Sequence, residues 1–127
     1  MNSTQDLQRG NWLLDATDNN YCIVQSLTPF LMVERFQNDI YTAEILRLHP
    51  IPITTYRLSL AKFQPIDNYY EITVNGFHCV VVPLPDKVYA WWVNEEFKKE
   101  IVYIHELQNS YLIDTGVMLS INLFGSR

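Results

Sequence analysis

Glycine and cysteine are scarce in this sequence, and their scarcity excludes several kinds of site. The four glycines stand apart from one another, so the chain has no glycine-rich loop to cradle a phosphate. The two cysteines, Cys22 and Cys79, lack the C-x-x-C spacing of a zinc site. Each lies in an apolar alternating segment, so we expect both thiols to be reduced and buried. We predict no metal site and no cofactor.

Positive charge is also in short supply. The chain of 127 residues contains 9 basic and 14 acidic residues, which gives a net charge of −5. No part of it is basic, because residues 1–50 carry about −3, residues 51–93 about 0 and residues 94–127 about −2. Affinity for nucleic acids depends largely on neutralising phosphates. We therefore expect no general binding of DNA or RNA.

Long apolar runs are missing as well. The longest nearly uncharged segments are too short and too polar to cross a bilayer, so we expect no membrane association. The first ten residues, MNSTQDLQRG, lack the basic-then-apolar order of a secretion signal. These two features predict a protein that stays in the cytoplasm.

What the sequence does contain is a series of short apolar segments separated by turn-forming residues. Four candidate strands fall within residues 10–49, and strands so closely spaced predict a small antiparallel β-barrel or a strongly bent sheet. A tight hairpin loop is expected over Gln37–Asp39. Pro50 and Pro52 then end this part of the chain, because proline removes donors from a strand ladder.

The second half mixes helix and strand signals. The segment YRLSLAKF, residues 56–63, predicts a short helix that Thr54 or Thr55 can cap. Asn75-Gly76 favours a type I′ hairpin, because both turn residues need positive φ, and it lies inside a predicted three-stranded meander over residues 69–93. The segment NEEFKKE is then expected to be a charged connector.

These elements together predict an α+β protein. We expect a single compact domain over residues 1–127. Its two subdomains are predicted to be the barrel over residues 10–49 and a meander-plus-helix part over residues 50–127. The second part would consist of the short helix, the meander and a packed C-terminal amphipathic helix. That helix is predicted to end at Gly116, because a helix end favours a residue in the left-handed backbone conformation.

The segment HELQN is one residue away from the zinc-protease signature H-E-x-x-H. Zinc proteases need two histidines four residues apart, and here the fourth residue after His105 is Asn109, a poor zinc ligand. Apolar residues recur at helical spacing through the same segment and predict a helix packed on a sheet. His105, Glu106 and Asn109 would then lie on its outer or flanking face. The apolar residues in question are Ile104, Leu107 and Tyr111.

Other catalytic arrangements find little support. A cysteine nucleophile would pair Cys79 with His105, but Cys79 lies in an apolar run, whereas reactive cysteines need an accessible, electropositive setting. Glu95 and Glu96 are adjacent acids beside two lysines, which is typical of a solvated charged turn. An enzyme would need His49, His78 or His105 in a cleft with a carboxylate. We predict that the protein is not an enzyme.

The segment VYAWWV leaves two interpretations open. It is apolar on both faces of a strand, which is typical of a central strand covered on both sides. Alternatively, the face that carries Tyr89 and Trp91 is partly exposed and anchors a partner, because tryptophan and tyrosine are enriched at binding hot spots. Tyr69 and Tyr70 on the neighbouring strand would extend that face. Our candidate partner-binding residues are Tyr89, Trp91 and Tyr69.

Three segments resemble a family of small uncharacterised proteins of Bacteroidetes genomes, prophages and phages. The segments GNWLLD, HPIPIT and IVYIHELQNSYLIDTG follow the order of that family's patterns G-N-(aromatic)-V, I-x-P-I-P-L-T and YVHQLQNLYFALTG. Glu106 stands where the family usually has glutamine, and LAKFQP replaces its usual W-L…F-G-F ending of the short helix. The resemblance implies an SH3-like barrel followed by a meander and a helix, and it implies no activity. The matching residues are Gly10, Asn11, Trp12, Pro50, Ile51, Pro52, Thr54, Tyr103, His105, Leu107, Gln108, Asn109, Tyr111, Thr115 and Gly116.

These observations predict a non-enzymatic accessory protein of a phage or mobile element. It would dock a host or phage protein, or a second copy of itself, through an aromatic surface. The alternative is a module that binds a small ligand or single-stranded nucleic acid by stacking on Trp12, Trp91 or Trp92. In either case the expected location is the bacterial cytoplasm, with association with a virion as a further possibility.

Overall fold

The computed structural model describes residues 6–28, 30–35 and 39–124. Within these ranges it contains antiparallel strands and two α-helices, which confirms the predicted α+β class. The chain divides into two compact units, one formed by Met1–Ile51 with Leu123–Arg127 and the other by Pro52–Asn122. The boundary predicted from the sequence lies between residues 49 and 50, and the observed boundary lies between Ile51 and Pro52.

The first unit contains a five-stranded sheet in the order β4-β3-β2-β1-β5. Among the described strands, β4 and β5 are the two edges and no ladder joins them, so the predicted SH3-like barrel is not closed. The strands are β1 (Trp12–Asp15), β2 (Asn20–Ser26), β3 (Met32–Arg35), β4 (Asp39–Thr42) and β5 (Leu48–His49).

The open edge has a local cause. The segment IYTAEILRL leaves the sheet after Thr42, forms a 3-10 turn over Ile45–Arg47, and rejoins it as only two residues of β5. Strands this short cannot supply the ladders that would close a barrel. Of the predicted hairpin loop Gln37–Asp39, the first two residues lie outside the described residues and Asp39 begins β4.

One face of the first sheet carries the core of its unit. The alternation of strand residues places Leu13, Cys22, Val24 and Val33 on that face, where all four are buried. Leu7, Ala43 and Leu48 join the same cluster, and Leu31 and Tyr41 pack against it.

The second unit contains another five-stranded antiparallel sheet, which joins consecutive strands in the order β10-β9-β8-β7-β6. The predicted meander over residues 69–93 is therefore confirmed, with a further strand on each side. The elements of this unit are α1 (Thr55–Leu60), β6 (Gln64–Ile66), β7 (Tyr69–Val74), β8 (Phe77–Pro83), β9 (Tyr89–Val93), β10 (Glu96–Ile101) and α2 (Ile104–Thr115).

Two hairpin turns of the same kind set the register of this sheet. Asn75 and Gly76 have φ of 50° and 82°, as the predicted type I′ turn requires. Asn94 and Glu95 have φ of 50° and 68°, so a second such turn joins β9 to β10. The prediction that NEEFKKE is a charged connector was wrong, because an asparagine tolerates positive φ and starts a hairpin there.

Both predicted helices are present. Thr54 caps α1, since its side-chain oxygen accepts a hydrogen bond from the backbone N–H of Arg57 at 3.1 Å. Helix α2 ends at Gly116, which has a φ of 76° and donates its backbone N–H to the carbonyl of Leu112 at 2.9 Å. Within the described residues, no helix is long and apolar enough to span a membrane.

Candidate functional site

The HELQN segment forms the first turns of α2, and its glutamate has a structural role. The Glu106 carboxylate accepts hydrogen bonds from the backbone N–H groups of Val102 at 2.9 Å and Tyr103 at 3.0 Å. A glutamate that reaches back from the first turn satisfies donors that the helix leaves unpaired. Across residues 6–28, 30–35 and 39–124, no three or more histidine, cysteine or acidic side chains are grouped to hold a metal ion.

The predicted outer face of α2 was wrong for two residues. His105 is 0% exposed and Asn109 is 9% exposed. The His105 ring lies nearly parallel to that of Tyr103, with 6.1 Å between the ring centroids. The helix is buried at polar as well as apolar positions, so the periodicity of its apolar residues does not reveal its buried surface.

Both cysteines are free and fully buried, as predicted. Burial raises the pKa of the Cys22 thiol to about 12, and nearby carboxylates act in the same direction. Burial likewise raises the pKa of the Cys79 thiol to about 11. Both sulfurs are therefore protonated at neutral pH, and a thiol in that state is a poor nucleophile.

Strand β9 shows which side of VYAWWV faces the interior. Trp91 is 0% exposed and Tyr89 is 8% exposed, so the expected partial exposure of the Tyr89–Trp91 face was wrong. The Trp91 indole donates a hydrogen bond to the Asp114 carboxylate on α2 at 2.7 Å. Its ring also lies 6.2 Å from that of Tyr111. Helix α2 thus covers the face of the sheet that carries Trp91, which we call the inner face.

The opposite face of the same sheet, the outer face, is apolar and half-buried. Cross-strand neighbours on it are Val80 and Trp92, followed by Trp92 and Phe97. The rings of Trp92 and Phe97 meet edge to face with 5.6 Å between their centroids, and Phe97 is 48% exposed. We define the outer face by Tyr69, Glu71, His78, Val80, Val82, Trp92 and Phe97.

A concavity of about 310 Å³ lies on the outer face. Val80 and Val82 contribute aliphatic side chains, and Tyr69 and Trp92 contribute aromatic rings. The lining residues are Tyr69, His78, Val80, Val82, Trp92 and Glu95. Of the three predicted partner-binding residues, only Tyr69 lies at this concavity.

A hydrogen-bonded pair of polar side chains lies beside the concavity, whose exposed lining is almost entirely apolar. The His78 Nε2 and the Glu71 Oε2 are 2.6 Å apart, which fixes the imidazole ring across two neighbouring strands. The backbone N–H of His78 also donates to the Asn94 side-chain oxygen at 2.9 Å, so the turn that carries Glu95 is tied to β8. His78 is the histidine that this arrangement brings together with a carboxylate.

The adjacent acids Glu95 and Glu96 have different surroundings. Glu95 lies in the turn and lines the concavity. Glu96 begins β10 and pairs with the Lys98 ammonium at 2.7 Å. The sequence grouped them as one charged turn, but Glu95 belongs to the turn and Glu96 to the strand that follows it.

The first unit has a polar cluster of its own. The buried Asp15 carboxylate accepts hydrogen bonds from the Tyr41 hydroxyl and from the backbone N–H of Thr17. The Arg35 guanidinium lies 4.5 Å above the Tyr41 ring and pairs with Asp18 and Asp39. These contacts tie β1, β3, β4 and the turn that carries Thr17 and Asp18 together, which is a structural role.

The sequence could not single out Trp92, Val80 and Val82. Strand β8 reads CVVV and β9 reads YAWWV, so both faces are apolar and the alternation that identifies a buried face is missing. Only the position of α2 distinguishes Trp91 from Trp92. Comparison with known proteins found no matching family model, no similar curated protein and no similar solved structure.

Proposed function

We propose that this chain is a non-enzymatic interaction protein that docks a partner protein on the outer face of its second sheet. The observation that carries the proposal is the half-buried apolar surface formed by Val80, Val82 and Trp92 with the exposed Phe97 beside them. An apolar aromatic surface bordered by polar residues is typical of a protein contact. Tryptophan is also the residue most often found at the centre of such contacts.

The surface belongs to a sheet that is rigid enough to present it. Strand β9 is central, with β8 and β10 paired along both of its sides, and the Trp91 indole fixes the strand to α2. A side chain that projects from such a strand loses little conformational freedom when a partner binds. This arrangement favours Trp92 as the anchor of the contact.

The partner would be a host or phage protein, and the chain an accessory protein of a phage or mobile element. The support for that origin is the resemblance of the three segments GNWLLD, HPIPIT and IVYIHELQNSYLIDTG to proteins of Bacteroidetes genomes, prophages and phages. A second copy of the chain is the competing occupant of the same surface. If the partner is a host or phage protein, the purified chain should be a monomer. If the partner is a second copy, the purified chain should not be a monomer.

Photo-crosslinking tests the assignment of the surface. The amino acid p-benzoylphenylalanine would replace Phe97, which is 48% exposed on the outer face, and in a matched variant Ile113, which is 74% exposed on α2. Illumination in cells of the host should give one crosslinked protein from position 97 and none from position 113. Crosslinks from position 113 alone, or the same products from both positions, would rule out the outer face as the docking surface.

A further inference from the structure

Among the described strands, the two sheets have four edges, and three of these edges carry features that discourage another strand from pairing. Strand β5 is only two residues long. Strand β6 has Pro65 at its centre, and proline has no N–H to donate. Strand β10 contains Lys98 and Lys99, and its register shifts between Phe97 and Lys99. Short strands, proline, lysine and bulges are the usual means by which sheet edges are protected.

The fourth edge, strand β4, is built differently. Its pairing with β3 is regular from Asp39 to Thr42, and the strand contains neither proline nor lysine. The pairing continues for one more residue, because the Ala43 N–H donates to the Leu31 carbonyl at 2.9 Å. The one charged residue of the strand, Asp39, is paired with Arg35 at 2.8 Å. A regular edge of this kind is a template on which another strand can pair.

The hydrogen bond from Ala43 fixes which backbone groups of β4 face outward. Bonded and non-bonded pairs alternate along an antiparallel ladder, so Ala43 and Tyr41 bond to β3. The N–H and C=O groups of Ile40 and Thr42 therefore point away from β3. Ile40 is 51% exposed, and Thr42 is exposed as well. The open side of β4 thus presents backbone donors and acceptors beside an exposed apolar side chain.

We propose that β4 accepts an extended segment of another protein, which adds to the edge of the first sheet as a further strand. Main-chain hydrogen bonds to Ile40 and Thr42 hold the segment, and its alternate side chains provide selectivity. A β-branched apolar residue fits beside Ile40, because cross-strand pairs of such side chains stabilise a sheet. This contact is separate from docking on the outer face, since β4 belongs to the other unit.

Charge favours a basic segment over a second copy of the chain. Exposed acidic residues stand near both ends of the strand, with Asp39 at its start and Glu44 just beyond its end. The whole chain carries −5, so two copies repel each other. The expected segment therefore has β-branched residues at its centre, lysine or arginine at its ends and no acidic residue.

The probe for this edge is a short peptide of alternating threonine and valine with a lysine at each end. Nuclear magnetic resonance would follow the backbone amide signals of β4 during a titration. We expect saturable shifts at millimolar concentrations, and the amides of Ile40 and Thr42 should exchange with deuterium more slowly when the peptide is bound. The same peptide with a glutamate at each end should bind roughly threefold more weakly, or worse, at low salt.

Proline substitution separates backbone recognition from side-chain contact. Thr42→Pro removes an outward N–H and no bond to β3, and proline is tolerated at such positions of an edge strand. The variant should lose the peptide while its dispersed amide spectrum shows that it is folded. Thr42→Ala keeps the N–H and should bind the peptide as the wild type does. Ile40→Thr should weaken binding by roughly two- to fivefold, because it removes part of the apolar contact.

Three results would overturn strand addition by another protein. One is unchanged peptide binding in a folded Thr42→Pro. Another is deuterium exchange of Ile40 and Thr42 in the wild type that the peptide does not slow, which decides the question even if Thr42→Pro does not fold. The third is a wild-type dimer on size exclusion that Thr42→Pro separates into monomers, because a second copy would then occupy the edge.

Discussion

At the residue scale, Asp15 is the buried carboxylate whose ionisation matters most for the first unit. Burial alone would raise the pKa of Asp15, but hydrogen bonds from Tyr41 and Thr17 outweigh burial and hold the pKa below its ordinary value of 3.8. A carboxylate whose pKa is lowered by folding stabilises the protein above its unfolded-state pKa. That contribution is lost as the pH falls through the folded-state pKa.

The hydrogen bond from Tyr41 to Asp15 predicts a pH-dependent effect of Tyr41→Phe. Removing the hydroxyl should lower the free energy of unfolding by about 2 kcal/mol at pH 7, the size typical of a hydrogen bond to a charged group. The difference from the wild type should shrink as Asp15 becomes protonated below about pH 4, and urea unfolding at several pH values measures it. Tyr56→Phe, at an exposed tyrosine, is the control. A difference that stays constant down to the lowest pH would contradict the role of Asp15.

Glu106 provides a second test at this scale. Its carboxylate accepts the backbone N–H groups of Val102 and Tyr103, so Glu106→Ala should cost about 1 kcal/mol of stability. Glu106→Gln keeps an acceptor oxygen and should lose less. Thermal unfolding followed by circular dichroism would compare the three proteins. Equal stability of all three would show that the two hydrogen bonds are not a helix cap.

At the scale of the element, β9 carries the clearest consequence of strand alternation. Trp91 and Trp92 are adjacent in sequence but lie on opposite faces, one fully buried against α2 and the other half-buried beside Phe97. Trp91→Ala should therefore destabilise the protein by about 3–5 kcal/mol or prevent folding. Trp92→Ala should cost much less, because that side chain is already partly in water.

Acrylamide quenching measures the same difference with milder substitutions. Trp91→Phe retains Trp92 and should leave fluorescence that acrylamide quenches readily. Trp92→Phe retains Trp91 and should give less accessible fluorescence. Equal quenching in the two variants, after allowing for the third tryptophan, Trp12, would contradict the assignment of inner and outer faces.

Elements with strong local signals were predictable from the sequence. Asn75-Gly76 identified the hairpin, Thr54 or Thr55 the start of α1 and Gly116 the end of α2, because each residue type meets a specific local demand of the backbone. The strand β10 was missed, because it is charged and follows the turn Asn94-Glu95, which lacks a glycine. Closure of the first sheet was predicted wrongly, because closure depends on long-range pairing that strand spacing does not report.

The candidate site was less predictable than the fold. The composition of β9 pointed to an aromatic surface, but the two faces of the strand are equally apolar, so the sequence did not distinguish Trp91 from Trp92. Tyr69 lines the concavity, but it lies on the face opposite to Trp91, whose face it was predicted to extend. His78 and Glu95 lie beside this surface only because β8, β9 and β10 pair with one another. No short sequence motif indicates that pairing.

At the scale of the whole molecule, charge separates a protein partner from a nucleic acid. The chain carries −5, and the outer face has Glu71 and Glu95 beside its aromatic rings. Stacking of bases on such rings requires a positively charged groove to follow the phosphates. We therefore expect single-stranded oligonucleotides to leave tryptophan fluorescence unchanged even at low salt. Quenching that salt reverses would instead support the single-strand binding module.

The most direct test of the docking surface is capture of the partner with matched variants. Tagged wild type, Trp92→Glu and Ile113→Glu would be purified from the bacterium that carries the gene, and the mass of each complex would be measured by light scattering after size exclusion. Docking on the outer face should give a stoichiometric complex with one protein for the wild type and for Ile113→Glu. It predicts the loss of that complex for a folded Trp92→Glu. A complex that survives Trp92→Glu, or a wild type that remains a monomer with no partner, would contradict docking on the outer face.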